Sequence, residues 1–533
     1  MADALTTLVA DHLRRRHGVT DTAAVAALLE AVAAGHCRAD LAPNRFAGAI
    51  GTVLAADGAG IALGRHARAE ARLARRITAL VARPPTDLTD DDGALVRARF
   101  PGAASALDHQ AVAVVAALRH PLTVITGGPG TGKTTVAATV VEALLARQPD
   151  LAVLLATPTG KAAARLRESL ATSRLPPDLA ARLARRTATL HRHLGVRPDG
   201  SGLRHHAGNP LACDLLILDE VSMIDVDMLA AAFEALPPTA RVVLLGDRHQ
   251  LASVEAGYAL GDLAAAARGE EYDDTVSPAF AAACRALGLI APPQGTVPAL
   301  ADRVVTLRTS RRFHDDRGIG RWARAVKGGM VPTSAEAEVR RVSVTDLLAE
   351  AEAHGRRLVQ AATPAAALTA LTEFRLLTPI RNGRQGVIGL NRTLATRLGL
   401  EPGDPGTPIL ITANDAGTGL ANGDVGIIGT VDGHRQAWFP GDDGTPRAVA
   451  LRRLPPWEPA WAMTVHKSQG SEFATVGILL PETEGGLLVR ELLYTALTRA
   501  KRQVLLSATD AVLTTCVAAT AARRTGLVGL LRG

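Results

Sequence analysis

LTVITGGPGTGKTTVAATVVEALLA, residues 122–146, decides the fold. Its first five residues are apolar or β-branched and predict a short strand. A glycine-rich loop follows, and an Ala/Val-rich helix opens at Lys133. Strand, G-x-x-x-x-G-K-[ST] and helix in that order are the context a phosphate-binding loop requires. A bare glycine-rich turn with an exposed lysine needs neither flank. Gly127, Gly128, Pro129, Gly130, Thr131 and Gly132 would wrap backbone N–H groups around phosphates at the positive end of the helix. Lys133 would reach the β- and γ-phosphates of ATP, Thr134 would place its hydroxyl on Mg²⁺, and Thr135 would close the loop.

Further along, LLILDE (215–220) is an apolar strand ending in two carboxylates, a costly pair to bury without a cation. Asp219 would hold the Mg²⁺ shell and Glu220 would orient and deprotonate the attacking water. Two more strand ends carry polar blocks. ATPTGKAAARL (156–166) sets Thr159, Gly160 and Lys161 at a helix start suited to a DNA phosphate. LGDRHQL (245–251) offers Asp247 and Gln250 as sensors of the γ-phosphate. Downstream lie TSRRF (309–313), MTVHKSQGSEF (463–473) and LLYTALTRAK (492–501).

Composition agrees with a polyanionic partner. The 533 residues carry a net charge of +7, weak evidence taken alone. Lysine stands only at 133, 161, 327, 467 and 501, leaving arginine as 54 of the 59 basic residues. Four of the five lysines fall inside the blocks just named, where a compact ammonium has a use. With 47% hydrophobic residues the chain is globular, and no apolar run is long enough to span a bilayer. The N-terminus lacks a signal-peptide pattern, so a cytoplasmic protein is expected. Cys37, Cys213, Cys284 and Cys516 are scattered and read as buried small hydrophobes.

The pattern divides the chain. Residues 1–95 are Ala/Leu/Arg-rich with helical periodicity, and RPPTDLTDDDG (83–93) reads as a linker. Strands alternate with helices over 96–303, and a second α/β block is expected over 304–533. Within it, 395–455 is rich in Gly, Asp and Pro with short strand signals, predicting a small β-barrel insertion.

The ordered set of blocks closely resembles the superfamily-1 helicases, and among them the RecD family, the alpha chains of exodeoxyribonuclease V. LDHQ (107–110), TLHRHLG (189–195), LRHHAGNPL (203–211), DEVSMID (219–225), VIGLNRTL (387–394) and NGDVGII (422–428) add to the likeness, which spans roughly 96–510. It implies two RecA-like P-loop NTPase lobes with ATP between them, a helical N-terminal docking domain and an SH3-like insertion in the second lobe. Single-stranded DNA would cross the top of the lobes and be tracked 5′→3′. Gln110 would read the adenine edge. Gln250, Arg312 and Arg499 would serve the γ-phosphate, the arginines as fingers from the second lobe. Arg311 stands beside Arg312, where the family carries an aromatic. Thr464, His466, Lys467, Gln469 and Gly470 would form the loop coupling ATP to DNA, with a structural role for His466 equally open. The resemblance also implies RecB-like and RecC-like partner subunits, with nuclease activity outside this chain. A stand-alone repair or conjugation helicase is the alternative, and the short N-terminal region is expected to favour the subunit. Aromatics make up only 3%, so Phe313, Trp457, Trp461 and Tyr494 are few candidates for base stacking and each is more readily core.

Overall fold

In the computed structural model, the strand Leu122–Gly127 lies inside a six-stranded sheet whose neighbours all pair in parallel. The structure describes residues 2–46, 48–51, 53–57, 60–197, 202–269, 273–313, 317–332, 336–415, 417–431, 433–441, 445–482, 488–521 and 523–533. Across this sheet the strands run Thr187–Thr189, Val153–Thr157, Leu215–Leu218, Arg241–Gly246, Leu122–Gly127 and Val304–Leu307. Continuous apolar runs suit such a sheet, because helices cover both faces. Ile125, Leu155, Ile217 and Leu245 pack on one side with Val114, Val140 and Leu166. Val124, Leu154, Leu216 and Leu244 pack on the other with Leu229, Phe233 and Leu263.

A second parallel sheet orders Val339–Arg341, Ala500–Ser507, Phe473–Leu479, Phe374–Thr378 and Ala462–Thr464. Between its last two strands in space, the chain leaves to build a five-stranded antiparallel sheet from Pro408–Ile411 to Trp457–Pro459. Ile409, Ile411, Ile428 and Phe439 give this insertion its own core. Its pairing runs in one line from Pro446–Ala450 to Trp457–Pro459. It starts later than expected, because residues 395–398 finish the helix Val387–Leu398.

The lobe boundaries and the N-terminal region also differ from the sequence reading. Val304–Leu307, expected to open the second block, pairs with Leu122–Gly127 as the edge of the first sheet. An apolar strand signal carries no information about which sheet will take it. The N-terminal region is not purely helical: Arg38–Ala39, Gly60–Leu63 and Leu54–Asp57 form an antiparallel sheet over Leu13, Leu28 and Phe46. Strands of two to four residues, two of them alanine-rich, fall below any periodicity signal. The helix Gly64–Ala82 buries Leu73, Ile77 and Leu80 in the core of the first lobe, and Arg76 donates to the Phe233 and Leu236 carbonyls at 2.9 Å. The acidic end of the expected linker starts a helix at Asp90 through a reciprocal cap between Thr89 and Asp92.

The tail also returns to the first lobe. Gly526 N–H donates to Glu70 Oε1 at 2.9 Å, Arg523 Nη1 donates to the Gly257 carbonyl at 2.8 Å, and Leu527 is buried in the first core. All four cysteines are free and buried. Among the described residues, no helix is long and apolar enough to cross a membrane.

Candidate nucleotide and DNA site

Five expected motifs leave the carboxyl ends of the first parallel sheet, the edge where such folds bind ligands. The loop after Leu122–Gly127 is shaped by two left-handed glycines, Gly130 at φ 76° and Gly132 at φ 89°. A Cβ on Gly132 would sit 2.1 Å from Gln110 Nε2, and one on Gly130 would sit 2.5 Å from Arg312 Cβ. Backbone conformation therefore demands glycine at both, and close approach adds to it at Gly130. Lys133 folds back to donate to the Gly127 and Gly128 carbonyls at 2.6 and 3.2 Å. Thr134 beside it is half-buried at the helix start, whereas Thr135 is exposed.

The neighbouring strand delivers Asp219 and Glu220. Glu220 has φ 56°, the single positive φ outside glycine among the described residues. Strain of this kind concentrates at functional positions. Its N–H donates to Asp219 Oδ1 at 2.9 Å. Burial, with the Glu220 charge adding, raises the Asp219 carboxyl to about 6, although Lys133 pulls the other way. A carboxyl so disfavoured as an anion, with a second acid next to it in sequence, fits a divalent cation. Among the described residues no group of three or more His, Cys, Asp or Glu could hold a metal alone. A Mg²⁺ ion here would draw on Asp219, Thr134 and phosphate oxygens, which is its usual preference.

Across the cleft the two lobes share one hydrogen-bonded chain. Arg499, 2% exposed, donates from Nη2 to Gln250 Oε1 at 3.0 Å. Gln250 Nε2 donates to Asp247 Oδ2 at 3.3 Å, and the Tyr494 hydroxyl donates to the same oxygen at 2.9 Å. Tyr494 is thus a polar bridge between lobes, an arrangement its apolar surroundings in sequence did not signal. The paired arginines separate. Arg311 Nη2 donates to Gln110 Oε1 at 3.3 Å, on the side where Gln110 Nε2 holds the Thr131 carbonyl at 2.6 Å. Arg312 turns away to the Glu472 carboxylate.

Residues 110–256 match the AAA domain family, and 459–507 match the UvrD-like helicase C-terminal domain. The RecBCD enzyme subunit RecD of Mycolicibacterium smegmatis is 40% identical over 481 residues, covering 83% of this chain and 80% of that one. The chain belongs to the RecD family of superfamily-1 helicases. The RecD subunit of Haemophilus influenzae is 34% identical over 81% of this chain and 73% of its own length. The ATP-dependent RecD2 DNA helicase of Deinococcus radiodurans is 33% identical over 81% of this chain and 53% of its own. The protein is thus a RecD-type DNA helicase and ATPase.

In this RecD-family chain the residues expected to meet DNA occupy two abutting loops. Thr159 caps the helix Gly160–Ala171, its Oγ1 accepting from Ala162 N–H at 3.2 Å. Lys161 follows, and its desolvation, with Arg375 nearby, pushes the ammonium down to about 7. A Cβ on Gly160 would lie 3.2 Å from Ala421, so the insertion rests on this turn. In the second lobe, Thr464 Oγ1 accepts from Lys467 N–H at 3.2 Å, and Lys467 Nζ pairs with Glu458 at 3.0 Å. His466 and Gln469 are placed differently. Burial lowers the His466 imidazole below its usual range. Gln469, 7% exposed, donates to the Leu251 carbonyl of the first lobe at 2.9 Å. Phe313, Trp461 and Tyr494 are buried and Trp457 half-buried, so none of the four aromatic candidates is fully exposed. Sequence reading singled out neither Arg165 nor Glu472; an isolated charge inside a motif gives no sign of its partner.

Proposed function

We propose that this chain is a Mg²⁺- and ATP-dependent 5′→3′ translocase on single-stranded DNA, acting at duplex ends as the RecD-type subunit of a cytoplasmic complex with RecB-like and RecC-like chains. The observation that carries the motor reading is the Arg499–Gln250–Asp247–Tyr494 chain across the cleft, beside the P-loop and the Asp219–Glu220 pair. Lys133 and the loop amides bind and orient the β- and γ-phosphates, and Asp219 and Thr134 would hold Mg²⁺, which neutralises phosphate charge. Glu220 takes the proton of the attacking water, while Arg312 and Arg499 place positive charge at the γ-phosphate. Gln110 recognises the adenine edge. Thr159, Lys161, Thr464 and Lys467 grip DNA phosphates, while Gln469 and His466 transmit lobe movement to that grip.

The subunit reading is supported by higher identity to a RecBCD subunit, 40%, than to the RecD2 helicase, 33%. We assign docking to the N-terminal region, whose helices and small sheet carry no chemical motif, and an SH3-like role in closing over DNA to the insertion. Co-purification from the native host tests the assembly: recovery with RecB- and RecC-like chains is expected, and an active chain recovered alone would favour the stand-alone helicase. Forked duplexes bearing a single tail test direction. Unwinding from a 3′ tail alone would overturn the polarity.

A further inference from the structure

Beyond the phosphate loop, the two lobes meet at one buried acid that none of the expected roles uses. Glu472, with 9% of its side chain exposed, lies at the head of the strand Phe473–Leu479. Its Oε1 contacts both Arg165 Nη2 and Arg312 Nη1, and its Oε2 lies 3.8 Å from Lys501 Nζ. Burial opposes ionisation, but hydrogen bonds and charge from Arg165, with Arg312 adding, hold the carboxyl down at about 2. Each cation comes from a different element. Arg165 belongs to the first-lobe helix that begins at the DNA-side turn, Arg312 to the crossing between lobes, and Lys501 to the strand Ala500–Ser507.

Arg312 is anchored at the phosphate loop. Its Cβ would lie 2.5 Å from a Cβ on Gly130, and its N–H donates to Ser310 Oγ, which in turn donates to the Pro129 carbonyl. Its backbone is thus held at the phosphate loop while its guanidinium rests on Glu472. We propose that Glu472 is a positioning residue that holds Arg312 at rest, so that ATP binding is an exchange in which Arg312 leaves Glu472 for the γ-phosphate. This rests on Arg312 being a finger. After the exchange Arg165 is the one guanidinium left on Glu472, and the carboxylate ties the second lobe to the helix that starts at Thr159. News of the γ-phosphate thereby reaches the DNA-side turn without a new contact to DNA.

The test is equilibrium binding, without DNA, of Mg²⁺ with adenylyl-imidodiphosphate and separately with ADP. Only the former carries a γ-phosphate. Glu472→Gln keeps the shape and removes the competing charge. It should bind the triphosphate analogue about tenfold more tightly, the equivalent of one charge-assisted hydrogen bond, with ADP binding unchanged. Arg165→Gln leaves Arg312 as the sole guanidinium on the acid and should shift the analogue the opposite way; it decides the question should Glu472→Gln not fold. In an Arg312→Ala background, Glu472→Gln should have no effect. Unchanged or weaker analogue binding in Glu472→Gln, or unchanged or tighter binding in Arg165→Gln, overturns the inference. If Arg312→Ala alone keeps the parent's preference for the analogue over ADP, the finger reading itself has failed. If Arg312→Ala loses that preference while Glu472→Gln changes nothing, only the exchange has.

Discussion

Replacing Arg499 with alanine removes a guanidinium whose three nitrogens donate to the Thr495 carbonyl at 3.2 Å, the Ser471 carbonyl at 3.3 Å and Gln250 Oε1 at 3.0 Å. Two of these acceptors belong to the second lobe and hold the stem of the fork in place. The third crosses to the first lobe and is the bond available for exchange to a γ-phosphoryl oxygen. A finger working on phosphoryl transfer contributes at least about 10³ in kcat, or about 4 kcal/mol of transition-state stabilisation. Lost binding of ground-state ATP should be far smaller, because charge on the γ-phosphoryl oxygens changes during the reaction. Stability should fall by about 2 kcal/mol, since lost charge-assisted bonds are partly offset by no longer burying a cation. The assay is steady-state ATP hydrolysis on saturating single-stranded DNA, with ADP affinity and thermal unfolding measured alongside. Arg499→Lys restores the charge without the planar fork and should recover only part of kcat. If kcat survives in Arg499→Ala and only KM rises, Arg499 is a binding residue and the account of the cleft fails.

Two further outcomes follow from packing and charge. Leu73, fully buried with Leu229 and Phe233, should cost about 2–5 kcal/mol as Leu73→Ala and lower the unfolding temperature of the motor; an unchanged midpoint would mean that the helix Gly64–Ala82 is not part of the first lobe. Lys161 loses its proton as pH rises through about 7, so its attraction for phosphate is present below that pH and lost above it until DNA itself restores the charge. Single-stranded-DNA affinity should therefore fall from pH 6 to pH 8.5 more steeply in the parent than in Lys161→Ala, and equal slopes would remove Lys161 from the DNA face.

Local structure was legible because it is written in short segments. A strand, a glycine loop and a helix must be contiguous to cradle phosphate, so residues 122–146 carried their own context. Paired acids at a strand end were equally plain at Asp219–Glu220. What sequence could not supply was spatial neighbourhood. Val304–Leu307 has the same apolar signature whether it closes the first sheet or opens the second. The helix Gly64–Ala82 shows its apolar stripe but not the surface that covers it. Gln469 sits in a motif expected to face DNA, yet its amide is used between lobes, and Glu472 gains its meaning from Arg165 and Arg312, both distant in sequence. The division between Arg311 and Arg312 needed coordinates for the same reason: adjacent residues on an irregular segment can point to opposite sides.

The claim on which the rest depends is that hydrolysis at Glu220 drives strand separation. The most direct measurement is strand displacement on a 5′-tailed duplex with ATP and Mg²⁺, run in parallel for the parent and Glu220→Gln, with ATP binding confirmed in both. The parent should unwind the duplex, and Glu220→Gln should bind ATP, because Lys133 and Asp219 remain, yet neither hydrolyse it nor displace the strand. Displacement by Glu220→Gln at near-parental rates would contradict the assignment of Glu220 as the base that activates water.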